Sequence, residues 1–237
     1  MKLSNKTIKL ITDATQLACI LQIDGIILDS DGIRGYNDEE GVIIAALEDF
    51  NFEFEILGLA RLQNLKNKLN LLKSLDSVQV EAVPKSNNQD IIEKLAFKSG
   101  KIDFSFRCAL PKTIKDIPKK VLNKKPNFYI DVTQEDVASI IQGTTTIRSA
   151  NMIIEADANQ VKFKFSDDTG DLLNYTPETE LGICGDDKEL SLVVNLKKML
   201  PIFRIAAQSE KFRLNILRNN IVYVSVNDLD IFVIAEV

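Results

Sequence analysis

The chain has 237 residues, 45% of them hydrophobic, enough to bury a core as one large domain or as two of about 110 to 120 residues. It holds no histidine and three widely separated cysteines, Cys19, Cys108 and Cys184, which removes the commonest general base and argues against a disulfide framework or a structural zinc site. The net charge is −5, yet residues 57–74 carry +4 and residues 111–126 carry +5, so the remainder sums to −14. Basic charge segregated in this way suits a protein that meets phosphates on one face. No apolar run approaches about 18 residues and the first residues lack a signal-peptide pattern, so the expected location is the cytosol. Carboxylates, lysines and thiols could still catalyse, so the composition lowers an enzymatic reading without removing it.

In chain order, Ser4 is placed to cap a helix, with Leu3 and Ile8 as a hydrophobic staple around it and Ile8, Ile11, Ala14 and Ala18 as an apolar stripe. Lys6, Lys9, Asp13 and Gln16 share its polar side. Strands are predicted over residues 20–23, over 26–29 with a turn at Asp31-Gly32, and over 42–47. Phe50, Phe52 and Phe54 then alternate with Asn51, Glu53 and Glu55 at the period of a strand. A second helix is predicted over 58–74, where Leu62, Leu65, Leu69 and Leu72 form one stripe. Arg61 and Lys68 lie along one rim of the stripe, Lys66 and Lys73 along the other, and Gln63, Asn64, Asn67 and Asn70 point outward. Further strands are expected over 77–83, around 95–97, and over 102–108, with a polar excursion between the first two.

Residues 111–126 contain three prolines and six lysines. Missing amide donors at the prolines oppose a helix or a central strand, so the stretch reads as a connector between domains 1–110 and 127–237. The second half repeats the order of the first. A strand over 128–132 leads to Thr133 as N-cap and Asp136 at the third helical position, with Val137, Ile140 and Ile141 on the buried side. Strands follow over 152–156 and 161–165 around a turn at 157–160, then over 178–184 and 190–194. A helix over 196–208 contains Pro201, which costs about 3 kcal/mol in a regular interior, so the helix either starts there or is kinked. Strands over 212–217, 221–226 and 231–235 complete the chain. Each half therefore gives helix, strands, helix, strands, at a period longer than solenoid repeats use.

With these elements in this order, the whole chain resembles the sliding clamps of T4-like bacteriophages, and more distantly the clamps of archaea and eukaryotes. The likeness rests on Met1-Lys2-Leu3-Ser4 leading into a capped helix, the leucine-rich helix, and the lysine- and proline-bearing connector. It continues in Asn195-Leu196-Lys197-Lys198-Met199 with Pro201 nearby, and in the terminal strand over 230–237. It implies an α+β DNA-clamp fold of the PCNA-like superfamily, with two similar domains, outer antiparallel sheets and inner helices, closing as a homotrimeric ring. The implied partners are duplex DNA held topologically, a replicative DNA polymerase, an ATP-dependent clamp loader and, in the phage group, the late-transcription machinery. No cofactor and no catalytic residue are implied, no membrane is involved, and the implied location is the cytoplasm of a bacterial host.

A ring that slides must not read bases, because each bidentate base contact is worth roughly 1–3 kcal/mol and would arrest it at particular sequences. Long cations facing phosphates attract almost equally at every register. The candidates for that lining are Lys6 and Lys9 on the first helix, Arg61, Lys66, Lys68 and Lys73 on the second, and Lys197, Lys198 and Arg204 on the fourth. The bland alternative is solubility charge on amphipathic helices. The third helix departs from the pattern, with Glu135 and Asp136 at its start and Arg148 as its one nearby base. Either DNA contact is asymmetric or that helix is placed differently. For partner peptides, Ile114, Ile117, Val121 and Leu122 of the connector with terminal Val237 are candidate walls of an apolar groove, or else anchors tying the connector to its own domains.

Two acidic runs compete for attention. Asp29-Ser30-Asp31-Gly32 lacks the later ligands of a calcium loop and is explained by a hairpin turn. Gly185-Asp186-Asp187 resembles a polymerase metal motif but has no supporting set. An enzyme using carboxylates and lysine, or a phage scaffold protein, are the rival classes.

Overall fold

The Ser4 backbone is extended and its hydroxyl accepts from the Thr7 amide at 3.2 Å, so the chain turns into α1 (Asn5–Ile20) where the sequence predicts. Immediately before the cap, Leu3 N donates to Val80 O at 2.8 Å and Ala82 N donates to Met1 O at 2.7 Å, which makes the first three residues a strand edge. The computed structural model describes residues 1–37, 41–45, 51–72, 78–100, 102–116, 125–179, 181–185, 189–208, 211–218, 220–226 and 229–235. The chain divides into two compact units, Met1–Asn37 with Ile43–Leu122 and Asp38–Val42 with Asn123–Val237.

In the first unit α1 is followed by β1 (Gly25–Asp29), β2 (Gly32–Asn37), β3 (Val42–Ala45), β4 (Ile56–Ala60), α2 (Leu62–Leu72), β5 (Gln79–Lys85), β6 (Asn88–Ser99) and β7 (Ile102–Arg107). The strand order is β3-β2-β1-β4-β6-β5, with β7 also paired to β6. β1 pairs antiparallel with β2 and β4, and β6 antiparallel with β5 and β7, while β4 meets β6 in a parallel contact at Ile56 and Ile91. α1 lies against α2 and buries Leu10, Ile11, Ala14, Leu17 and Ala18, while α2 buries Leu62, Leu65 and Leu69. The α1 stripe is thus wider than expected, with Ile8 only half-buried.

Four local expectations change here. Residues 20–23 are not a strand: Ile20 ends the helix, Leu21 N donates to Leu17 O at 3.0 Å, and Gln22 takes φ +56°. Of the alternating stretch 50–55, Phe50 lies outside the described residues, and 51–55 form a loop in which the Phe52 and Phe54 rings stack at 5.0 Å. Glu53 is needed elsewhere, as its carboxylate accepts from Ser4 N at 2.9 Å and Thr7 Oγ1 at 2.8 Å. The strand forms instead as β4, whose Leu57, Gly58 and Leu59 are buried, because an apolar run without alternation suits a strand covered on both faces. Arg61 then takes φ +53° and α2 starts at Leu62, later than the sequence indicates. The expected polar excursion after β5 shrinks to a tight turn, since β5 reaches Lys85 and β6 starts at Asn88.

The second unit contains β8 (Phe128–Thr133), α3 (Gln134–Ile147), β9 (Asn151–Asp157), β10 (Val161–Ser166), β11 (Leu172–Tyr175), β12 (Leu181–Ile183), β13 (Glu189–Asn195), α4 (Leu196–Ala206), β14 (Lys211–Leu217), β15 (Ile221–Val226) and β16 (Leu229–Ile234). These strands form two runs, β12-β8-β14-β15-β16 and β11-β10-β9-β13. β11 was not expected, and the strand predicted over 178–184 shortens to β12. The α3 capping box is complete: Asp136 N donates to Thr133 Oγ1 at 3.2 Å and Thr133 N donates to Asp136 Oδ2 at 2.7 Å. α4 starts at Leu196, with Asn195 accepting from Lys197 N at 2.9 Å, so Pro201 lies inside it. Burial of Met199, Ile202, Phe203 and Ala206 holds this helix despite the missing amide.

Both units share one device. Each contains two strand-helix-strands repeats that exchange their leading strands. In the second unit β8 pairs with β14 of the later repeat, while β13 pairs with β9 of the earlier one. In the first unit Met1–Leu3 pairs with β5 and β4 pairs with β1. This exchange makes each pair of repeats one cooperative body, because neither repeat completes its sheet alone.

Candidate nucleic-acid interface

The basic candidates fall on the helices in two sets. On the first unit Lys6 and Lys9 are exposed on α1, Arg61 is exposed just before α2, and Lys66 and Lys68 are half-buried on α2. On the second, Lys197 and Arg204 are exposed on α4 and Lys198 is half-buried. Lys73 lies outside the described residues.

The α2 cations are held rather than free-swinging. Arg61 lays its guanidinium over the Phe106 ring, 5.1 Å from the centroid, and donates from Nη2 to Arg107 O at 2.8 Å. Lys68 Nζ sits 5.0 Å from the centroid of Phe104, which is itself stacked on Phe97 at 4.8 Å. Both rings come from the alternating segment of β7, so this flank of α2 is a cation shelf floored by aromatics. The sequence shows the alternation of Phe104 and Phe106 but not their place beneath α2, which only strand pairing sets. Lys66 leaves on the other flank, towards α1: burial pushes the Cys19 thiol up and the nearby Lys66 charge pulls it back.

α3 carries less charge on its surface than its sequence suggests. Asp136 is buried and holds the helix start, which leaves Glu135 as the exposed acid of the first turn. Asp136 Oδ2 accepts from Thr133 Oγ1 at 2.7 Å, and its Oδ1 accepts from Tyr175 OH at 2.6 Å. Burial and this carboxylate together push the Tyr175 phenol up to about 12. Farther along, Thr144, Thr145 and Thr146 donate their hydroxyls to the carbonyls of Ile141, Ile141 and Gln142, at 2.8, 2.6 and 2.9 Å. Thr144 is buried, and the exposed hydroxyls of Thr145 and Thr146 are left with acceptors only, which a phosphate does not bind. Arg148 caps the far end with φ +53° and is exposed.

Of the groove candidates, Ile114 is half-buried and lies over two glycines of the first unit's sheet. A Cβ on Gly25 would approach its Cγ2 to 3.1 Å, and one on Gly58 would approach its Cδ1 to 3.2 Å. Ile117, Val121, Leu122 and Val237 lie outside the described residues. Next to Ile114, Asp116 accepts from Arg34 Nε at 2.9 Å, while Arg34 Nη1 and Nη2 each donate to Asp29 at 2.6 Å. The start of the connector is therefore fixed to the β1–β2 hairpin by a buried guanidinium shared between two carboxylates.

That triad also disposes of the first acidic run. Both Asp29 oxygens are engaged by Arg34, and Oδ1 further accepts from Asp31 N at 3.0 Å to shape the turn. In the second run Gly185 N donates to Asn127 O at 3.2 Å, and Asp186 and Asp187 lie outside the described residues. Among the described residues no group of three or more His, Cys, Asp or Glu side chains is arranged to hold a metal ion, and no helix is long and apolar enough to cross a membrane.

No protein-family model and no curated protein matches the sequence. Solved structures match closely in shape over nearly the full length. Proliferating cellular nuclear antigen from Entamoeba histolytica superimposes with a TM-score of 0.67 at 10% identity, covering 96% of this chain and 96% of that one. The PCNA2–PCNA3 complex from Sulfolobus tokodaii gives 0.67 at 17% identity, covering 97% of this chain and 96% of that one. The chain has the α+β fold of the PCNA-like clamps, with two similar domains of sheet and helix.

Proposed function

We propose that this protein is a sliding clamp that encircles duplex DNA as a homotrimer and tethers a replicative DNA polymerase. The observation that carries the reading is the clamp fold over essentially the whole chain, joined to helices whose exposed bases include Lys6, Lys9, Arg61, Lys197 and Arg204. No base-specific chemistry is required of it. A closed ring persists on DNA by topology, so cations need only attract phosphates weakly and evenly. The phage-type likeness in the sequence supports a finer reading: a clamp of T4-like bacteriophages, acting in the bacterial cytoplasm, opened by an ATP-dependent loader and used also in late transcription. Polymerase and loader peptides would dock along the connector, where Ile117, Val121 and Leu122 follow the anchored Ile114, with Val237 as a further wall. The function is non-catalytic.

The test is retention. Incubated with loader and ATP on nicked circular duplex, the protein is expected to stay bound through gel filtration at high salt and to leave when the circle is linearised. Equal retention on circular and linear DNA would falsify the clamp reading.

A further inference from the structure

Every described base of α2 departs from the helix's outward crest. Arg61 and Lys68 bend over Phe106 and Phe104 on one flank, and Lys66 is half-buried on the flank facing α1. What stands on the crest is uncharged: Gln63, Asn64, Asn67 and Asn70, all exposed, with the exposed Leu71 as the apolar side chain among them. Gln63 Nε2 donates to Asn67 Oδ1 at 3.2 Å, which ties two of these carboxamides into a row. The helix Leu62–Leu72 contains no acid. A row of N–H donors between two cationic flanks is complementary to a polyanion.

We propose that this carboxamide crest is a phosphate-contacting track, in which Gln63, Asn64, Asn67 and Asn70 donate N–H groups to backbone oxygens of duplex DNA while Arg61, Lys66 and Lys68 supply the surrounding field. It rests on the DNA reading given above and adds a division of labour to it. A carboxamide offers two N–H donors and no charge. Its bond to a phosphate oxygen displaces water and releases no counterion, so it adds affinity that does not depend on salt. A lysine contact adds about 0.9 to the slope of log affinity against log salt. The crest therefore holds DNA at salt concentrations that screen the flanks. α3 has no equivalent row, since its threonine hydroxyls are spent on helix carbonyls and Gln142 is its one exposed carboxamide in the middle of the helix.

The test compares three proteins by fluorescence anisotropy on a labelled duplex over a salt series: wild type, Gln63→Ala/Asn64→Ala/Asn67→Ala/Asn70→Ala, and Lys66→Ala/Lys68→Ala. Alanine raises helix propensity at exposed positions, so the first variant is expected to keep its far-UV circular dichroism. It should bind about 10-fold more weakly at every salt concentration with the wild-type slope, whereas the lysine variant should lose between one and two units of slope. Asn64→Asp/Asn67→Asp, which puts like charge against phosphate, should bind more weakly than either. If wild type binds duplex and both amide variants bind as tightly as wild type, the track is overturned and the DNA reading stands. If wild type itself does not bind duplex, the DNA reading is overturned and the track with it.

Discussion

Asp136 is the residue on which the second unit's first helix turns. It accepts from the Thr133 amide and hydroxyl and from Tyr175 OH, so a buried carboxylate is bonded at once to the helix start and to β11. Tyr175→Phe removes one charge-assisted bond and should cost about 1–3 kcal/mol. Asp136→Ala removes the whole capping box together with the Tyr175 bond, so it should cost more than Tyr175→Phe. Urea midpoints followed by circular dichroism check the order, and an Asp136→Ala milder than Tyr175→Phe counts against it. Glu53 plays the corresponding part in the first unit. Burial alone would raise its carboxyl, but the bonds from Ser4 and Thr7 outweigh burial and hold it below the ordinary glutamate value. A depressed folded value means that its contribution is present above the ordinary value and is lost as the pH falls through the folded one. The stability gap between wild type and Glu53→Gln should thus be constant near neutral pH and shrink as the pH falls below the ordinary glutamate value, measured as urea midpoints across a pH series.

At the scale of elements, the connector's first residues are locked by charge and by shape together. Arg34 is 4% exposed, and its two carboxylates are unequal: the Asp29 side chain is 15% exposed and that of Asp116 45%. Solvent screens the exposed pair, so Asp116→Asn should cost no more than about 1 kcal/mol. Asp29→Asn removes the closer, bidentate partner of a buried cation and should approach about 3–5 kcal/mol. Equal effects of the two substitutions in denaturation would show that the guanidinium is not buried as described. The shape half of the lock is Gly58, where an added Cβ would stand 2.7 Å from Ala109 O, a backbone atom that cannot rotate away. Gly58→Ala should therefore destabilise by about 1–3 kcal/mol and displace Ile114, visible as faster amide exchange around Ala109. Helix starts at Ser4 and Thr133 were legible because a cap is a local bond between a side chain and an amide three residues on, whereas the Asn195 cap of α4 was not read from the sequence. β4 was not legible as a strand. Its run of apolar residues fits a buried strand or the start of a leucine-rich helix equally well, and the choice falls to β1, which pairs with it over five residues.

At the scale of the whole molecule, two units built on the same exchanged-strand plan follow one another along the chain. If the clamp reading holds, sedimentation equilibrium should give a species at three times the 26.5 kDa chain, with a monomer–trimer balance that shifts with concentration. A dimer, or a monomer at every concentration, speaks against a three-membered ring. The net charge of −5 does not oppose DNA binding, because the charge is not spread evenly: the helix and connector segments hold the positive excess.

The composition of each helix face, the caps at Ser4 and Thr133 and the uneven charge could be read along the chain, since all of these depend on residues close in sequence. Folding in three dimensions was needed to lay the β7 rings beneath Arg61 and Lys68, to share Arg34 between Asp29 and Asp116, and to settle Ile114 over two glycines. Those partners are separated by tens of residues and meet through strand register and topology. A local pattern of polar and apolar residues specifies which face is buried, but not which distant face will cover it.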